Sequence, residues 1–207
     1  EPRVNVYLGY LNSYLKYYEP AVAAFERAEN LLEDSPLRED VLDATFYFWY
    51  GAACERLGRF ERAEKLFGKC LEIDPAYSEA LNYLAYMWAE KGIKLDQALK
   101  YIKQALELTP TSGAYIDTLG WIYYMQGQYQ EAFKEIHKAM EIIPDDPTIH
   151  EHLGDVLLKL GDEKQALPHW ERSFILDPEN EKVAEKLRKY NTDLAPLRKQ
   201  AEELKKT

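Results

Sequence analysis

The sequence is poor in cysteine, in long apolar runs and in positive charge. Its two cysteines, Cys54 and Cys70, are too few for the disulfide framework of a small secreted domain. No apolar run is long enough to span a bilayer. The 26 Lys and Arg residues against 36 Asp and Glu give a net charge of −10, which repels a phosphate backbone, so no nucleic-acid partner is expected. The chain begins at Glu1 without Met or an apolar leader, and we expect that any targeting segment was removed.

The sequence also lacks a catalytic or cofactor motif. Gly68-Lys69-Cys70 lacks the earlier glycine of a phosphate-binding loop and falls inside a predicted helix. His150 and His152 are two residues apart, whereas a helical zinc site needs two histidines four residues apart. We interpret His150 as a packing residue and Cys54 and Cys70 as small core residues. We therefore expect no enzyme activity, metal or cofactor.

What the chain does contain is apolar and aromatic. Hydrophobic residues make up 46% of it and charged residues 30%, a composition typical of a folded domain. Sixteen Tyr and four Trp residues are more than a core requires, and some of these rings are expected to face a partner. The charge is uneven, because residues 182–207 contain eight Lys or Arg and four Asp or Glu. An acidic body is thus followed by a basic tail.

A repeat with a period of 34 residues runs through the chain. A complete copy has a glycine or alanine, a second glycine seven residues later, then an alanine, a large apolar residue, a small residue and a proline. The clearest copies read Gly51, Gly58, Ala63, Phe67, Cys70, Pro75; Gly120, Gly127, Ala132, Ile136, Ala139, Pro144; and Gly154, Gly161, Ala166, Trp170, Ser173, Pro178. The third copy along the chain has Ala85, Gly92, Ala98, Ile102, Ala105 and Pro110. The first copy keeps only Gly9, Ala21, Phe25 and Ala28.

These residues resemble the tetratricopeptide-repeat family. The resemblance implies an all-α, right-handed superhelical solenoid of about five helical hairpins, at residues 2–35, 44–77, 78–112, 113–146 and 147–180, followed by a capping helix and a basic tail helix at 181–207. The small residues would let the two helices of a hairpin cross closely, and the second glycine would permit a left-handed turn between them. Ala98 and Ala132 are expected to be buried at such crossings.

Two segments fall outside the repeat. Ser35-Pro36 reads as an N-cap followed by proline at the first helical position, so the first helix of the second repeat is expected to begin early. After Pro178, a helix from Glu181 to Tyr190 should turn apolar residues towards the array, and Asp193 should cap a last helix from Leu194 to Lys206.

The family fold also predicts a binding surface. The first helices of the hairpins would line the concave side, and helical spacing places one set of their residues on a common face, here called the first-helix stripe. Its members are Val6, Tyr10, Ser13, Tyr14, Thr45, Phe48, Ala52, Glu55, Glu79, Asn82, Tyr86, Asp117, Trp121, Tyr124, Met125, Glu151, Asp155 and Lys159. Some of these rings could instead pack between repeats, since an error of one residue turns each by about 100°.

The predicted function is therefore a non-enzymatic scaffold or adaptor that binds a protein segment on a continuous aromatic and acidic groove. The proposed partner-binding residues are Tyr10, Phe48, Asn82, Tyr86, Asp117, Trp121, Tyr124, Glu151 and Asp155. The partner is expected to be neutral to basic with apolar anchors, because the basic clamp with which co-chaperone repeats hold an acidic peptide is missing. The alternative is a structural protein that self-associates through its ends or tail as a homo-oligomer. Copies three and four resemble bacterial members, which implies the periplasmic side of the envelope or the cytoplasm.

Overall fold

The computed structural model describes residues 1–205, so Lys206, the expected end of the last helix, and Thr207 lie outside the described residues. Residues 1–205 are all-α and contain no β-strand. The helices in chain order are α1 Pro2–Tyr14, α2 Tyr18–Leu31, α3 Arg38–Val41, α4 Ala44–Arg56, α5 Phe60–Ile73, α6 Ser78–Glu90, α7 Leu95–Leu108, α8 Gly113–Met125, α9 Tyr129–Ile142, α10 Pro147–Lys159, α11 Glu163–Leu176, α12 Glu181–Lys189 and α13 Leu194–Leu204. No helix within residues 1–205 is long and apolar enough to cross a membrane.

The helices form two compact units. Unit 1 consists of residues 1–91 and 100–109, and it contains α1 to α6 and most of α7. Unit 2 consists of residues 92–99 and the chain from residue 110 onward, with α8 to α13. In unit 1, Phe25, Phe46 and Tyr50 are fully buried, and their ring centroids lie 5.3 to 5.9 Å apart. In unit 2, Trp170 and Phe174 of α11 pack against Leu187 of α12 and Leu197 of α13.

The turns inside the hairpins use left-handed backbone, as the second glycine of the repeat predicted. Gly58, Gly127 and Gly161 have φ values of 70°, 76° and 84°, which a residue without a Cβ adopts at little cost. Lys16 has φ 61° at the matching place between α1 and α2. The longer turn before α7 has two such residues, Gly92 and Lys94, which accommodate the extra residue of that repeat.

The helices of a hairpin cross where a side chain on the first helix would not fit. A Cβ atom built on Gly120 of α8 would lie 2.5 Å from Cγ1 of Ile136 and 3.1 Å from the carbonyl oxygen of Ala132, both on α9. A Cβ atom on Gly154 of α10 would lie 2.5 Å from the Trp170 ring. Ala132 and Ala98 are completely buried, as predicted. Small residues therefore set the distance between paired helices.

One predicted helix start is wrong. The segment after Ser35 forms only the short helix α3, and the Ser35 hydroxyl accepts a hydrogen bond from the backbone N–H of Leu37 at 3.2 Å. Helix α4 begins separately at Ala44, because the Asp43 carboxylate caps it by accepting from the backbone N–H of Phe46 at 2.8 Å. The Ser-Pro signal thus marks a single helical turn, which ends before the second hairpin.

The C-terminal helices cover the last hairpin of unit 2. Val183, Ala184 and Leu187 of α12 are completely buried, and Asp193 caps α13 by accepting from the backbone N–H of Ala195 at 3.0 Å. Helix α13 packs mainly through Leu197 and Ala201, with Leu194 partly buried and Leu204 42% exposed. The apolar side of α11 is thereby removed from water.

We predict opposite effects for two glycine substitutions in helices. Gly120→Ala should lower the free energy of unfolding by about 1–3 kcal/mol, because the added methyl group meets the backbone of α9. Gly68→Ala, where a Cβ meets nothing within 4 Å, should raise it by about 0.5–1 kcal/mol through the better helix propensity of alanine. Urea unfolding followed by circular dichroism measures both, and changes of the same sign would contradict the assigned crossing.

Candidate protein-binding surface

The residues of the first-helix stripe in unit 1 differ in how far they are buried. Phe48 of α4 is only 9% exposed, and its ring centroid lies 5.0 Å from that of Tyr77 and 5.5 Å from that of Tyr83. The expectation that Phe48 faces a partner is therefore not supported, because the rings of Tyr77 and Tyr83 cover it. Tyr10 of α1 is half-buried, and burial raises the pKa of its hydroxyl, with a smaller effect of Asp43. Asn82 and Tyr86 of α6 are also half-buried.

In unit 2 the central part of the stripe is buried. Asp117 of α8 is 5% exposed, and both of its carboxylate oxygens lie near Nδ1 of His152, at 3.1 and 2.9 Å. Trp121 is 8% exposed, and its ring stacks between Tyr124, at a centroid distance of 4.5 Å, and His152, at 4.0 Å. Asp117 and Trp121 were expected to be exposed, and this expectation is wrong. His152, from α10 of the following hairpin, contacts and covers both side chains.

The two acids at the C-terminal end of the stripe, Glu151 and Asp155, already contact a lysine of the chain. Lys186 of α12 places its ammonium group 2.7 Å from Oε1 of Glu151 and 2.8 and 2.7 Å from the two carboxylate oxygens of Asp155. Asp155 also accepts from Nε1 of Trp170 at 2.9 Å, and Glu151 accepts from Asn180 at 2.9 Å. Burial alone would raise the pKa of Glu151, but the hydrogen bond and charge of Lys186 lower it overall. Both acids are thus neutralised within unit 2.

Tyr124 lies beside this acidic end. It is half-buried, and burial, reinforced by the Asp155 charge, raises the pKa of its hydroxyl to about 12. The hydroxyl is therefore a neutral hydrogen-bonding group at physiological pH, and the ring presents a partly accessible aromatic face next to Trp121.

Four buried polar side-chain atoms have no hydrogen-bond partner in the part of the chain that the structure describes, and all four belong to the first-helix stripe. They are Ser13 Oγ, Glu55 Oε2, Asn82 Oδ1 and Trp121 Nε1. Buried polar groups in folded proteins are hydrogen-bonded in the large majority, and an unpaired one costs about 1–3 kcal/mol. Glu55 Oε2 has only a 3.5 Å ion contact with Nε of Arg56, and burial raises the pKa of this carboxyl group. Unpaired hydrogen-bonding capacity is therefore concentrated on this stripe.

His150, His169, Cys54 and Cys70, which lie outside the stripe, are packing residues. His150 lies 3.0 Å from His169 between their Nδ1 atoms, and its Nε2 donates to the Pro144 carbonyl at 2.9 Å. Burial raises the pKa of Cys54 to about 11 and that of Cys70 to about 12, so both thiols stay protonated and unreactive. No group of three His, Cys, Asp or Glu side chains within residues 1–205 is arranged as a metal site.

The fold and the stripe define an all-α helical-repeat protein, and comparison with known proteins places it in a family. Two family models, both described as tetratricopeptide repeat, match residues 88–184 and 44–77, which together are more than half of the chain. The chain therefore belongs to the tetratricopeptide-repeat family. Proteins of this family are in general non-enzymatic scaffolds for protein interaction, and a protein partner is the class that this fold implies.

Individual relatives are distant. A TPR repeat-containing protein of Pseudomonas aeruginosa is 26% identical over 107 residues, which are 52% of this chain and 18% of that protein. The chain thus covers less than a fifth of the length of that relative. A solved TPR protein of Thermus thermophilus has a TM-score of 0.70 at 20% identity, covering 91% of this chain and 98% of its own. MamA of Desulfovibrio magneticus RS-1 has a TM-score of 0.66 at 19% identity, covering 86% and 96%. These two likenesses concern the fold.

Sequence reasoning missed the partners that decide the state of the stripe. The contacts of His152 and Lys186 join residues 31 to 35 positions apart, so neither the spacing of His150 and His152 nor the charge of the basic tail indicates them. The repeat itself contains the signal that could have found His152, since it lies 35 residues after Asp117, close to one period of the chain.

We predict that two buried serines respond differently to alanine. Ser13→Ala should leave the free energy of unfolding unchanged or raise it by up to about 1 kcal/mol, because it removes a buried hydroxyl without a partner. Ser173→Ala should lower it by about 1 kcal/mol, because the Ser173 hydroxyl donates to the Pro147 carbonyl at 2.8 Å. Thermal and urea unfolding test the pair, and a larger loss at Ser13 than at Ser173 would show that Ser13 has a partner.

We predict that the fifth hairpin loses stability in mild acid. Burial first, then the charges of His150 and His137, lower the pKa of His169 to about 4. Since the unfolded chain binds this proton more readily, stability should fall as the pH decreases from about 6.5 towards 4. The Nδ1–Nδ1 hydrogen bond also needs one nitrogen without a proton, so both rings cannot be charged while it persists.

The measurement is urea unfolding of the parent and of His169→Gln at pH 7.5 and pH 5. The parent should lose more stability than the variant between these values, because glutamine keeps a hydrogen-bonding group and has no proton to gain. His137→Gln is the comparison variant: His137 is at the surface of α9 and its charge is the smallest of the three causes named above, so this variant should lose nearly as much stability as the parent. An equal loss in parent and His169→Gln would refute the assignment.

Proposed function

We propose that the chain binds a segment of another protein on the first-helix stripe of unit 1, and that this segment donates hydrogen bonds and carries a basic side chain with apolar anchors. The observation that carries the proposal is the set of unpaired oxygens in that unit, Ser13 Oγ, Glu55 Oε2 and Asn82 Oδ1, on α1, α4 and α6 respectively. All three atoms accept hydrogen bonds, so a ligand rich in N–H groups complements them.

Glu55 is the residue that favours a partner with a basic side chain. Its side chain is 19% exposed, so rotation about its flexible bonds brings the carboxylate to the surface. A lysine or arginine placed there would stabilise the ionised carboxyl group, which burial disfavours in the free protein. Lys186 in unit 2 provides an internal precedent, because its ammonium group contacts three carboxylate oxygens on residues of the same stripe.

The same contacts make the acidic end in unit 2 a weaker candidate. A basic ligand side chain at Glu151 or Asp155 would have to displace Lys186, whose three short contacts would then be lost. Glu55 in unit 1 has only the 3.5 Å contact with Arg56 to lose. The groove predicted from sequence also included Glu151 and Asp155, but the centre of the proposed binding surface lies in unit 1 for this reason.

Aromatic residues of the stripe supply the apolar part of the surface. Tyr10 is half-buried beside Trp49, at a centroid distance of 6.2 Å, and Tyr86 is half-buried on α6. Tyrosine and tryptophan give large rigid contact areas at a small cost in side-chain entropy and are enriched among residues that dominate binding. The partially covered rings of Tyr10 and Tyr86 are therefore the proposed anchors in unit 1, and Phe48 supports them from the core.

The test begins with random 12-residue peptides displayed on phage and selected against the full chain. Enriched peptides should contain Lys or Arg together with aromatic or aliphatic residues. Calorimetry should then show that Glu55→Gln and Asn82→Ala weaken binding of the selected peptides by about tenfold or more, since each removes an oxygen that has no hydrogen-bond donor in the free protein. Binding to the parent should also weaken as salt rises.

Glu72→Gln is the matched control, because Glu72 is an exposed glutamate on α5 of the same unit and lies outside the stripe. Peptides should bind this variant like the parent. If selection yields no binder, or if the binders tolerate Glu55→Gln and Asn82→Ala as well as they tolerate Glu72→Gln, the stripe of unit 1 is not the binding surface.

A further inference from the structure

Helix α1 has an apolar face that is exposed in unit 1. The side chains on this face are between 41% and 79% exposed, and they are Val4, Tyr7, Leu8, Leu11, Tyr14 and Leu15. At about 100° per residue they lie within an arc of roughly 120° on one side of the helix. The opposite side of α1 is buried in unit 1 through Val6, Gly9 and Ser13. Exposed apolar side chains grouped in this way mark an interaction surface.

The same face is buried in first helices farther along the chain. Val4, Leu8 and Leu11 are 50%, 41% and 53% exposed. Their repeat positions recur in α4, α6 and α10, at the same distances along the sequence from the small residue of the helix crossing. The residues at these positions are at most 5% exposed, and they are Phe46, Tyr50 and Ala53; Ala80, Leu84 and Met87; and Ile149, Leu153 and Val156. Another helix therefore covers this face in α4, α6 and α10.

The covering helix is in each case the second helix of the preceding hairpin. The ring centroid of Phe25, on α2, lies 5.3 Å from that of Phe46 and 5.4 Å from that of Tyr50, both on α4. Helix α5 packs against α6, and α9 packs against α10. The covering helices share a large apolar residue with a small residue four positions before it and another three positions after it, namely Phe25 with Ala21 and Ala28, Phe67 with Ala63 and Cys70, and Ile136 with Ala132 and Ala139.

A helix of the same chain is a better occupant of the α1 face than a helix of a second copy. At the C-terminal end, where stacking of two copies end to end would need an uncovered second helix, Trp170 and Phe174 of α11 already pack against Leu187 of α12. Inside the chain, each covering helix is joined to the helix it covers by a short connection, residues 74–77 between α5 and α6 and residues 143–146 between α9 and α10. Such a connection holds the covering helix at a high effective concentration.

We propose that a further helical hairpin precedes Glu1 in the complete protein and that its second helix covers the apolar face of α1. One period of 34 residues before Phe25 is a position about ten residues before Glu1, so the large apolar residue of the covering helix is expected there. The face shares only Tyr14 with the first-helix stripe, and the proposal does not rest on the function proposed above.

The amino-acid sequence immediately before Glu1 in the complete protein is the first test. About ten residues before Glu1 it should contain a large apolar residue, with a small residue four positions before it and another three positions after it. A sequence without this pattern would overturn the proposal, because the helix that fits the face would be absent.

Thiol labelling of the complete protein and of residues 1–207 alone is the second test. Leu8→Cys should react with a maleimide about tenfold or more slowly in the complete protein, because the counterpart of Leu8 in α4, Tyr50, is fully buried beneath α2. Mass spectrometry of the peptide that contains position 8 gives the rate, and circular dichroism checks that the variant is folded. Cys54 and Cys70 are buried and do not compete.

Tyr17→Cys is the matched control. Tyr17 is 60% exposed at the N-cap of α2, and its counterpart at the N-cap of α5, Arg59, keeps a side chain that is 38% exposed although a hairpin precedes it. Position 17 should therefore react at the same rate in both proteins. Equal rates at position 8 in the two proteins, or a slowing at position 17 as large as that at position 8, would each contradict the proposed covering helix.

Discussion

The close approach of the two helices in each hairpin is the constraint on which the rest of the structure depends. At Gly9, Gly51, Gly120 and Gly154, an added Cβ atom would lie 2.3 to 2.9 Å from an atom of a large side chain on the second helix. These contacts fix the rotation of each first helix about its axis, because only the side with the small residue can face its partner. The residues on the other sides of the first helix then either pack against neighbouring hairpins or lie at the surface.

This fixed rotation has an electrostatic consequence for the first-helix stripe. It places polar side chains of the stripe in buried positions between neighbouring hairpins. There each one either pairs with a residue of another helix or stays unpaired. In unit 2, Asp117 is paired by His152, and Asp155 by Lys186 and Trp170. In unit 1, Ser13, Glu55 and Asn82 keep unpaired atoms. The stripe carboxylates of unit 2 are therefore satisfied internally, where Trp121 Nε1 is left unpaired, whereas the unpaired atoms of unit 1 are oxygens that a hydrogen-bond donor of a ligand can complement.

Several expectations from the sequence were met because they depend on short-range geometry. The spacing of Gly58, Gly127 and Gly161 predicted left-handed turns, and the alanines at the crossings are buried. Two expectations were not supported, for different reasons. The early helix start expected at Ser35-Pro36 is wrong because a second local signal, the Asp43 cap, decides where α4 begins. The exposure expected for Phe48, Asp117 and Trp121 was altered by residues of the following hairpins.

The sequence by itself determined the helical class, the family resemblance and the set of residues on the stripe, because a period of 34 residues and a helical period of 3.6 are both visible in one dimension. Only the tertiary structure decided which stripe residues are accessible and which are paired. The contacts responsible join residues about one repeat apart, such as Asp117 with His152 and Asp155 with Lys186. Their distances depend on the packing of neighbouring helices, and sequence spacing alone does not specify that packing.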